Sequence, residues 1–351
     1  MPYDNSAVRR QDRLLDEARA RELLGGLPER IEVLLSANIL KNAMGVGIPG
    51  TGMIGLPIAV ALGAQIGRSE YGLEVLRDVT PEAVARARDY LAADAVSVAL
   101  KEGISETLYV EVHCTAGGRR AEAVIAGSHT RFVYLACDGE VVLDRRTGAS
   151  SREEEPCVPL TLRRVFDYAL TAPIDELAFI DEARRLNMAA AELALGGEYG
   201  HSLGRTLRGR RELHVMGDSL FSRMLAYTSA ACDARMAGAM VPVMSNSGSG
   251  NQGIAATVPV AVYARQTGAS EERTRRALVL SHLTAIYIKQ SLGRLSALCG
   301  CVVAATGSSC GIAYLMGGGY REVVCAVQNM IANLTGMICD GAKPSCALKV
   351  S

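Results

Sequence analysis

Cysteines concentrate near the end of the sequence, where their thiols can act together on a metal. Six of the ten cysteines lie between Cys299 and Cys346, in a stretch with few charges and recurrent glycines. Thiolates are soft ligands that select zinc, copper(I) and iron–sulfur clusters. The absence of a Cys-x-x-Cys pair argues against a zinc ribbon or a ferredoxin-type run. The pattern therefore favours an iron–sulfur site held by widely spaced cysteines.

The number of thiolate ligands decides what such a cluster can do. Three thiolates leave one iron open as a Lewis acid for a substrate, whereas four close the site and make it structural or redox-active only. The spacing alone does not choose between these arrangements, and a zinc hydrolase is a weaker alternative because the chain lacks a His-rich ligand set. Plain buried thiols are the remaining interpretation. We expect that role for Cys114, Cys137, Cys157, Cys232 and Cys325.

A glycine-rich stretch runs from Lys41 to Pro57, after a strand predicted at Ile31 to Ser36. Its glycines and prolines exclude a regular element. Exposed main-chain N–H groups and the N-terminus of a following helix suit a carboxylate, while the alternative is a tight packing turn. Neither a Walker A nor a dinucleotide-binding spacing is present. The candidate substrate-binding residues of this loop are Asn42, Gly50, Thr51 and Gly52.

A second polar stretch, Met244 to Ile254, alternates glycine with small polar residues between two apolar runs. Hydroxyl and amide groups set into a hydrophobic domain are typical of the floor of a ligand pocket. A surface linker is the alternative, but linkers seldom have apolar helices running into both ends. The candidate substrate-binding residues here are Asn246, Ser247, Ser249, Asn251 and Gln252.

The elements that must position these residues predict an α+β fold in three parts. Residues 1–65 form an N-terminal segment that carries the glycine-rich loop and packs on the helical domain. Residues 66–150 form a small α/β domain, and residues 151–351 form a helical, cluster-binding domain. We expect the small domain to be an antiparallel meander with helices on one face, because short alternating strands are joined there by glycine-containing turns.

Local patterns predict helices at several places, among them Leu14–Leu24 and Leu220–Met236. Thr80 is an N-cap, with Pro81 at the first helical position, and the helical pattern runs from there to about Leu100. Asp175 to Ala183 shows the 3.6-residue period. Glu271 to Leu292 carries charges only at its start and at Lys289, so it is predicted to be buried over most of its length.

Composition narrows the possible partners and compartment. Positive and negative side chains balance, 37 against 37, so nothing favours a nucleic acid or an anionic membrane. Two long stretches lack charged residues, Met236–Ala264 and Leu295–Tyr320. Both are interrupted by polar residues, which argues against membrane-spanning helices. The first residues are charged and lack the apolar segment of a secretory signal. A cytoplasmic protein with reduced thiols is expected.

Four stretches together resemble the L-cysteine desulfidase family, which is related to the alpha chain of iron–sulfur L-serine dehydratases. They are Lys41–Pro57, Met244–Val258, Ser281–Gly300 and Gln328–Val350. The resemblance is collinear from about Leu23 to the end. It implies a [4Fe–4S] cluster held by three cysteines with one iron left for the substrate, and the family's cysteine spacing falls on Cys299, Cys339 and Cys346. A His-Thr pair of the family's middle domain is matched by His129-Thr130.

The sequence departs from the family in two places. Family members carry a Gly-Cys-Thr-Glu-Pro motif whose Cys is thought to act in catalysis; that Cys would fall near Ala7, where Ser6 to Arg10 has no Cys, Glu or Pro. The family also continues beyond the position of Cys346, whereas this sequence stops at Ser351. A second polypeptide can supply the missing parts, or the chemistry differs. An inactive scaffold is a third interpretation, against which the retained cysteine triad argues.

The resemblance implies a lyase for a small β-substituted amino acid such as L-cysteine or L-serine. Loss of HS⁻ or water after removal of the α-proton gives an enamine that hydrolyses to a keto acid and ammonia. His129 is the first candidate for the base because its ordinary pKa is near neutral, and Lys289 and Lys41 are weaker candidates. The alternative is a cluster-binding subunit that is inactive without a partner chain. A homo-oligomer or a hetero-oligomer is expected.

Overall fold

The protein has 351 residues, and its computed structural model describes most of them. The described residues are 3–5, 15–45, 47–74, 76, 78–128, 130–146, 158–292 and 298–335. The predicted site residues His129, Cys339 and Cys346 lie outside these ranges.

Helices form most of the ordered structure. They are α1 (Leu15–Leu24), α2 (Ala37–Ala43), α3 (Leu56–Ile66), α4 (Pro81–Ala92), α5 (Leu162–Thr171), α6 (Ile180–Leu195), α7 (Leu203–Leu207), α8 (Arg210–Met216), α9 (Leu220–Met236), α10 (Gly250–Thr267), α11 (Glu271–Leu292), α12 (Gly300–Leu315) and α13 (Tyr320–Thr335). The strands are β1 (Tyr3–Asn5), β2 (Arg30–Leu35), β3 (Gly47–Ile48), β4 (Met53–Ile54), β5 (Val96–Leu100), β6 (Tyr109–Ala116), β7 (Arg119–Ala126), β8 (Phe132–Cys137), β9 (Glu140–Asp144) and β10 (Pro242–Met244). The predicted α+β class is confirmed.

The chain divides into two compact units. The sheet unit comprises residues 4–157 and 234–242, and the helical unit comprises residues 1–3, 158–233 and 243–351. This division differs from the predicted boundary at residue 65, because β2 hydrogen-bonds to strands of the predicted middle domain. The first 65 residues therefore contribute a strand to the sheet unit. The change of unit at residue 158 lies close to the predicted start of the helical domain.

In the sheet unit, six strands of the described chain form one mixed sheet in the order β5-β2-β6-β7-β8-β9. The last four are the predicted antiparallel meander. β2 pairs antiparallel with β6 and parallel with β5. Alternate residues of β2, Ile31, Val33 and Leu35, are fully buried, as expected for a strand with one face under helices. Helix α1 covers β6 and β7, and α3 lies against β5.

The prediction that the helix after Thr80 continues to about Leu100 is wrong. Thr80 does cap α4, its hydroxyl accepting a hydrogen bond from Ala83 N at 3.2 Å. The helix ends at Ala92, and Asp94 adopts the left-handed conformation with φ 55°. The Val-Ser-Val segment that follows pairs with the free edge of β2. Edge pairing and β-branched side chains outweigh the local helical period there.

In the helical unit, α10, α11 and α12 pack closely around a core of small and aliphatic side chains. Helix α11 has the predicted bounds and buries His282 completely. Gly311 of α12 lies against the backbone of α11, where an added Cβ would stand 2.7 Å from Ala277 O. The close approach of these helices therefore depends on glycine. The predicted 3.6-residue period at Asp175–Ala183 corresponds to hydrogen-bonded turns followed by the start of α6 at Ile180.

Across the described residues, no helix combines the length and the apolar character required to cross a membrane.

Replacing Gly311 by Val tests the close packing of α11 and α12. The two methyl groups would meet the main chain of α11, so we expect the free energy of unfolding to fall by about 1–3 kcal/mol, measured by urea denaturation. The matched control is Ala189→Val on the exposed face of α6, which should cost only a few tenths of a kcal/mol, roughly the difference in helix propensity. Equal losses in the two variants would contradict a close packing requirement at Gly311.

Candidate functional site

The second predicted polar stretch begins with a tight turn in the helical unit. Asn246 and Ser249 exchange main-chain hydrogen bonds of 3.2 and 3.0 Å around Ser247 and Gly248. Both central residues have positive φ, 44° and 93°, which is the signature of a type I′ turn. Glycine adopts this conformation readily, but Ser247 does so at a cost in strain. The turn places the Asn246 side chain inward, where it is 2% exposed.

The rest of this stretch is the first turn of α10. Ser249 is the N-cap, and its hydroxyl accepts a 3.4 Å hydrogen bond from Gln252 N. Gln252 is buried beneath the turn, and Asn251 is half-buried beside it. The predicted substrate-binding residues Asn246, Ser247, Ser249, Asn251 and Gln252 are therefore brought together by one turn and one helix start. Whether they bind substrate stays a prediction.

A buried chain of hydrogen bonds holds this group. Asn246 Nδ2 donates to His282 Nδ1 at 3.1 Å and to His282 O at 3.0 Å. His282 Nε2 lies 2.9 Å from Thr257 Oγ1, which donates to Gly253 O at 2.7 Å. Because Nδ1 faces an amide donor, the neutral ring carries its proton on Nε2 and donates it to Thr257. Asn187 Nδ2 adds a 3.0 Å bond to the same hydroxyl.

His282 belongs to the site but was not among the predicted residues. Complete burial lowers the pKa of its ring to about 4, since desolvation disfavours the charged form. The ring is thus neutral, and both nitrogens are engaged by Asn246 and Thr257. The sequence does contain a signal, namely a histidine in the uncharged part of a long buried helix. The sequence gave no indication of the residues that form hydrogen bonds with the two ring nitrogens.

The turn region and the first predicted cluster ligand lie next to each other. Gly300 is the first residue of α12, and a Cβ added there would stand 2.7 Å from Gln252 Oε1. Cys299 is the N-cap of the same helix, and its thiol is exposed. The fold therefore brings the predicted polar floor and Cys299 to one place, although Gln252 and Cys299 are far apart in the sequence.

The chemistry of the described thiols fits Cys299 as a cluster ligand. Its sulfur is accessible at the N-terminal end of a helix of 16 residues, where the partial positive charge complements an anionic cluster. Cys310, in the same helix, is buried, and burial raises the pKa of its thiol to about 11, which disfavours the thiolate that a metal requires. Cys339 and Cys346 lie outside the described residues. The expectation of a buried thiol is wrong for Cys325, which is exposed.

Lys289 lies near Cys299, on the last turn of α11. Partial burial lowers the pKa of its ammonium group, and the neighbouring Cys299 acts in the opposite direction. Lys41, in contrast, is exposed on α2 in the sheet unit. Of the candidate bases that the structure describes, Lys289 is the one close to a predicted cluster ligand.

The glycine-rich loop belongs to the sheet unit and is more regular than predicted. Thr51 N donates to Ile48 O at 3.2 Å, and Gly50 has φ 72°, which defines a type II turn between β3 and β4. The Thr51 hydroxyl donates to Ile48 O at 2.7 Å and accepts from Met53 N at 2.9 Å. This hydroxyl therefore stabilises the turn, while Asn42 is exposed on α2 and Gly52 on the loop.

A charged network on the sheet was also not predicted. Glu111 and His113 of β6 lie side by side with Glu122 of β7, close enough to share a metal ion. Glu111 is already bonded to His113 Nε2 and Lys101 Nζ, each at 2.7 Å. Burial raises the pKa of Glu111, but its bonds to His113, Lys101 and Tyr109 outweigh this and lower the value to about 2. Glu111 therefore has three hydrogen-bond partners, and Arg120 adds a further contact to the group at 2.9 Å from His113 Nδ1.

Comparison with known proteins identifies relatives that match nearly all of the chain. The family described as serine dehydratase alpha chain matches residues 70–351. A UPF0597 protein of Bacteroides thetaiotaomicron is 69% identical over 334 residues, which cover 95% of this chain and 78% of the relative. UPF0597 proteins of Porphyromonas gingivalis and Oleidesulfovibrio alaskensis are 53% and 48% identical, each over 96% of this chain and 79% of the relative. No solved structure matches the chain.

Replacing Thr257 by Val tests the buried chain of hydrogen bonds. The isosteric side chain removes the acceptor of His282 Nε2 and Asn187 Nδ2, and we expect a loss of about 1–3 kcal/mol of unfolding free energy for each donor left unpaired. Chemical denaturation provides the measurement. Thr267→Val in the same helix is the control, because its hydroxyl also bonds the carbonyl four residues back but is exposed. A cost no larger than that of the control would contradict the assigned network.

Stability should also depend on pH through His282. Its folded pKa of about 4 lies below the ordinary value of 6.5, so the unfolded chain binds the proton more readily. We therefore expect the contribution of His282 to the free energy of unfolding to be fully present above about pH 6.5. It should fall as the pH drops toward 4, by at most about 1.4 kcal/mol per pH unit. His282→Gln should remove that slope, and an unchanged pH profile in the variant would show that another group is responsible.

Proposed function

Because this chain belongs to the serine dehydratase alpha chain family, we propose that it is an iron–sulfur-dependent lyase. Its substrate in this proposal is a small β-substituted amino acid of the L-cysteine or L-serine type. The reaction eliminates HS⁻ or water and yields a keto acid and ammonia. The observation that carries the proposal is the position of Cys299 at the N-cap of α12, beside the buried polar residues around Gln252.

The predicted triad Cys299, Cys339 and Cys346 would hold a [4Fe–4S] cluster. When bound, this group supplies a Lewis-acidic iron for the leaving sulfur or oxygen. The exposure of the Cys299 thiol supports its part in the triad. The roles of Cys339 and Cys346 rest on the family resemblance and their spacing. A cytoplasmic location would keep all three thiols reduced.

The chain itself must supply a base for the α-proton. Lys289 has the best structural support, since it lies near Cys299 and partial burial lowers the pKa of its ammonium group. His282 is not suited to this role, because its ring is enclosed and both nitrogens have partners. His129 remains a candidate outside the described residues, and Lys41 has no support beyond the sequence. Removal of the proton by the base leaves its electron pair to form the Cα–Cβ double bond as HS⁻ or hydroxide departs.

The side chains around the turn have properties suited to a small zwitterion. Asn246 and Gln252 are fixed by hydrogen bonds to each other and to His282, so they are preorganised. Ser247 is exposed at the turn and donates to Asn246 Oδ1 at 2.9 Å. The glycine-rich loop is proposed to bind substrate through main-chain groups at Gly50 and Gly52, since the Thr51 hydroxyl is occupied within the turn.

A cluster-binding subunit is the second candidate function. The family is described as an alpha chain, a term used for one component of a heteromeric protein. In this case a partner chain would complete the catalytic site, and the chain alone would bind a cluster without turnover. Hetero-oligomer formation and homo-oligomer formation both remain proposals.

Anaerobic reconstitution with iron and sulfide tests the proposed function. We expect iron and acid-labile sulfide in the product, and release of keto acid from L-cysteine or L-serine. Zinc without sulfide, or a fully loaded cluster that gives no keto acid with or without a partner chain, would contradict the lyase. Turnover only after addition of a second chain would support the subunit function.

Cysteine variants test the ligand set separately. Replacing Cys299, Cys339 or Cys346 by Ser should abolish the cluster absorbance and lower turnover by at least about 100-fold, because several kcal/mol of Lewis-acid stabilisation are lost. Cys301→Ser and Cys325→Ser are matched controls in the same region and should retain the cluster. Retention of the full iron content in Cys299→Ser would remove this residue from the ligand set.

A further inference from the structure

The sheet unit contains a cavity between the helices α1, α3 and α4. Its volume is about 300 Å³, which lies at the lower limit of the range of roughly 300–1,000 Å³ for small-molecule sites. The three helices and the loop after α1 contribute to its wall. The lining residues are Arg21, Leu27, Gln65, Arg86, Asp89 and Tyr90.

Three charged side chains line this cavity without an ion-pair partner among the described residues. Arg86 and Asp89 lie one turn apart on α4, a spacing at which opposite charges can pair, but their charged groups form no ion pair with each other or with another described side chain. Arg21 donates to a main-chain carbonyl at the end of α3 at 3.2 Å and also forms no ion pair. By contrast, Arg119 and Arg223 each form an ion pair with an aspartate. Two guanidinium groups and one carboxylate are thus left to border one cavity.

Gln65 adds an unsatisfied carboxamide to the same wall. The residue is half-buried on α3, and its Oε1 is buried without a hydrogen-bond partner among the described residues. A buried acceptor of this kind is costly, and the terminal torsion of a glutamine side chain is broad enough for the carboxamide to turn. Gln65 can therefore offer its oxygen to a donor that enters the cavity.

An apolar surface completes the wall. Leu27, in the loop after α1, is 52% exposed, and Tyr90 is half-buried on α4. The Tyr90 hydroxyl donates to Pro28 O at 2.7 Å, so this hydroxyl is occupied and the ring is held in place. An exposed leucine and a fixed aromatic ring on one wall suit a short aliphatic group of a ligand.

We propose that this cavity binds a free α-amino acid with an aliphatic side chain. Arg21 and Arg86 bind its carboxylate, since the planar guanidinium group matches the geometry of a carboxylate. Asp89 binds the α-ammonium group, to which Gln65 adds an acceptor, and the apolar part of the wall contacts the ligand's side chain. This site goes beyond the proposed function, because it lies in the sheet unit, whereas the candidate cluster ligands belong to the helical unit.

Calorimetric titration of the full chain with three ligands tests the proposal. L-leucine has both charged groups, 4-methylpentanoate lacks the ammonium group, and 3-methylbutylamine lacks the carboxylate. We expect L-leucine to bind more tightly than either of the other two. Arg86→Gln should weaken the binding of L-leucine and 4-methylpentanoate by about 5- to 30-fold, because it removes a charge-assisted hydrogen bond in a site that is open to water. Asp89→Asn should weaken L-leucine and 3-methylbutylamine by a similar factor.

The matched controls are Arg131→Gln and Glu102→Gln, at exposed positions elsewhere in the sheet unit, and both should bind L-leucine as the wild type does. Cys299→Ser should also retain binding, whereas its loss there would place the ligand in the helical unit and overturn the proposal. No binding of L-leucine, or equal binding in the wild type, Arg86→Gln and Asp89→Asn, would overturn it as well. An effect of Arg86→Gln without any effect of Asp89→Asn would indicate a site for carboxylates alone and contradict the amino acid.

Discussion

The pairing of polar side chains buried between helices is the constraint on which the centre of the helical unit depends. Asn187, Thr257 and His282 come from three helices, and each would be costly inside an apolar core without the others. Their mutual bonds fix the direction of every amide and of the imidazole proton. Such a network tolerates few alternative arrangements. It therefore gives the Asn246 turn and Gln252 a single conformation.

Small residues allow the backbones around this network to approach one another closely. Gly253 lies directly against the main chain at Met244, and Gly311 lies against Ala277. Larger side chains at these positions would separate α10 from β10 and α12 from α11. Glycines in the helical unit therefore permit close packing of helices, in addition to the role that glycine has in loops. Cys299 occupies the exposed end of the same close-packed group.

Sequence patterns predicted the parts of the structure that depend on local chemistry. The Thr80 cap, the bounds of α11 and the meander strands follow from capping, periodicity and turn residues. The polar stretch around Asn246 was predicted as a group for the same reason. Pairing between distant segments was not predictable in this way. The residues of β5 were predicted to be the end of a helix, because their strand conformation depends on hydrogen bonds to β2, which is distant in the chain. His282 was missed since its role depends on Asn246 and Thr257, which are distant from it in the chain. The bonds of the Thr51 hydroxyl lie within its own turn, and this local contact was missed because the glycine-rich pattern did not indicate the turn type.

The segment 234–242 affects the order in which the sheet unit can fold during synthesis. It belongs to the sheet unit, although the residues before and after it belong to the helical unit. Gly47 lies against the main chain of Ala237 and Gly238, with no room for a side chain between them. During synthesis the strands of the sheet emerge long before this segment does. The sheet unit is therefore completed only after α5 to α8 have been synthesised, so its last contacts join residues that are far apart in the chain.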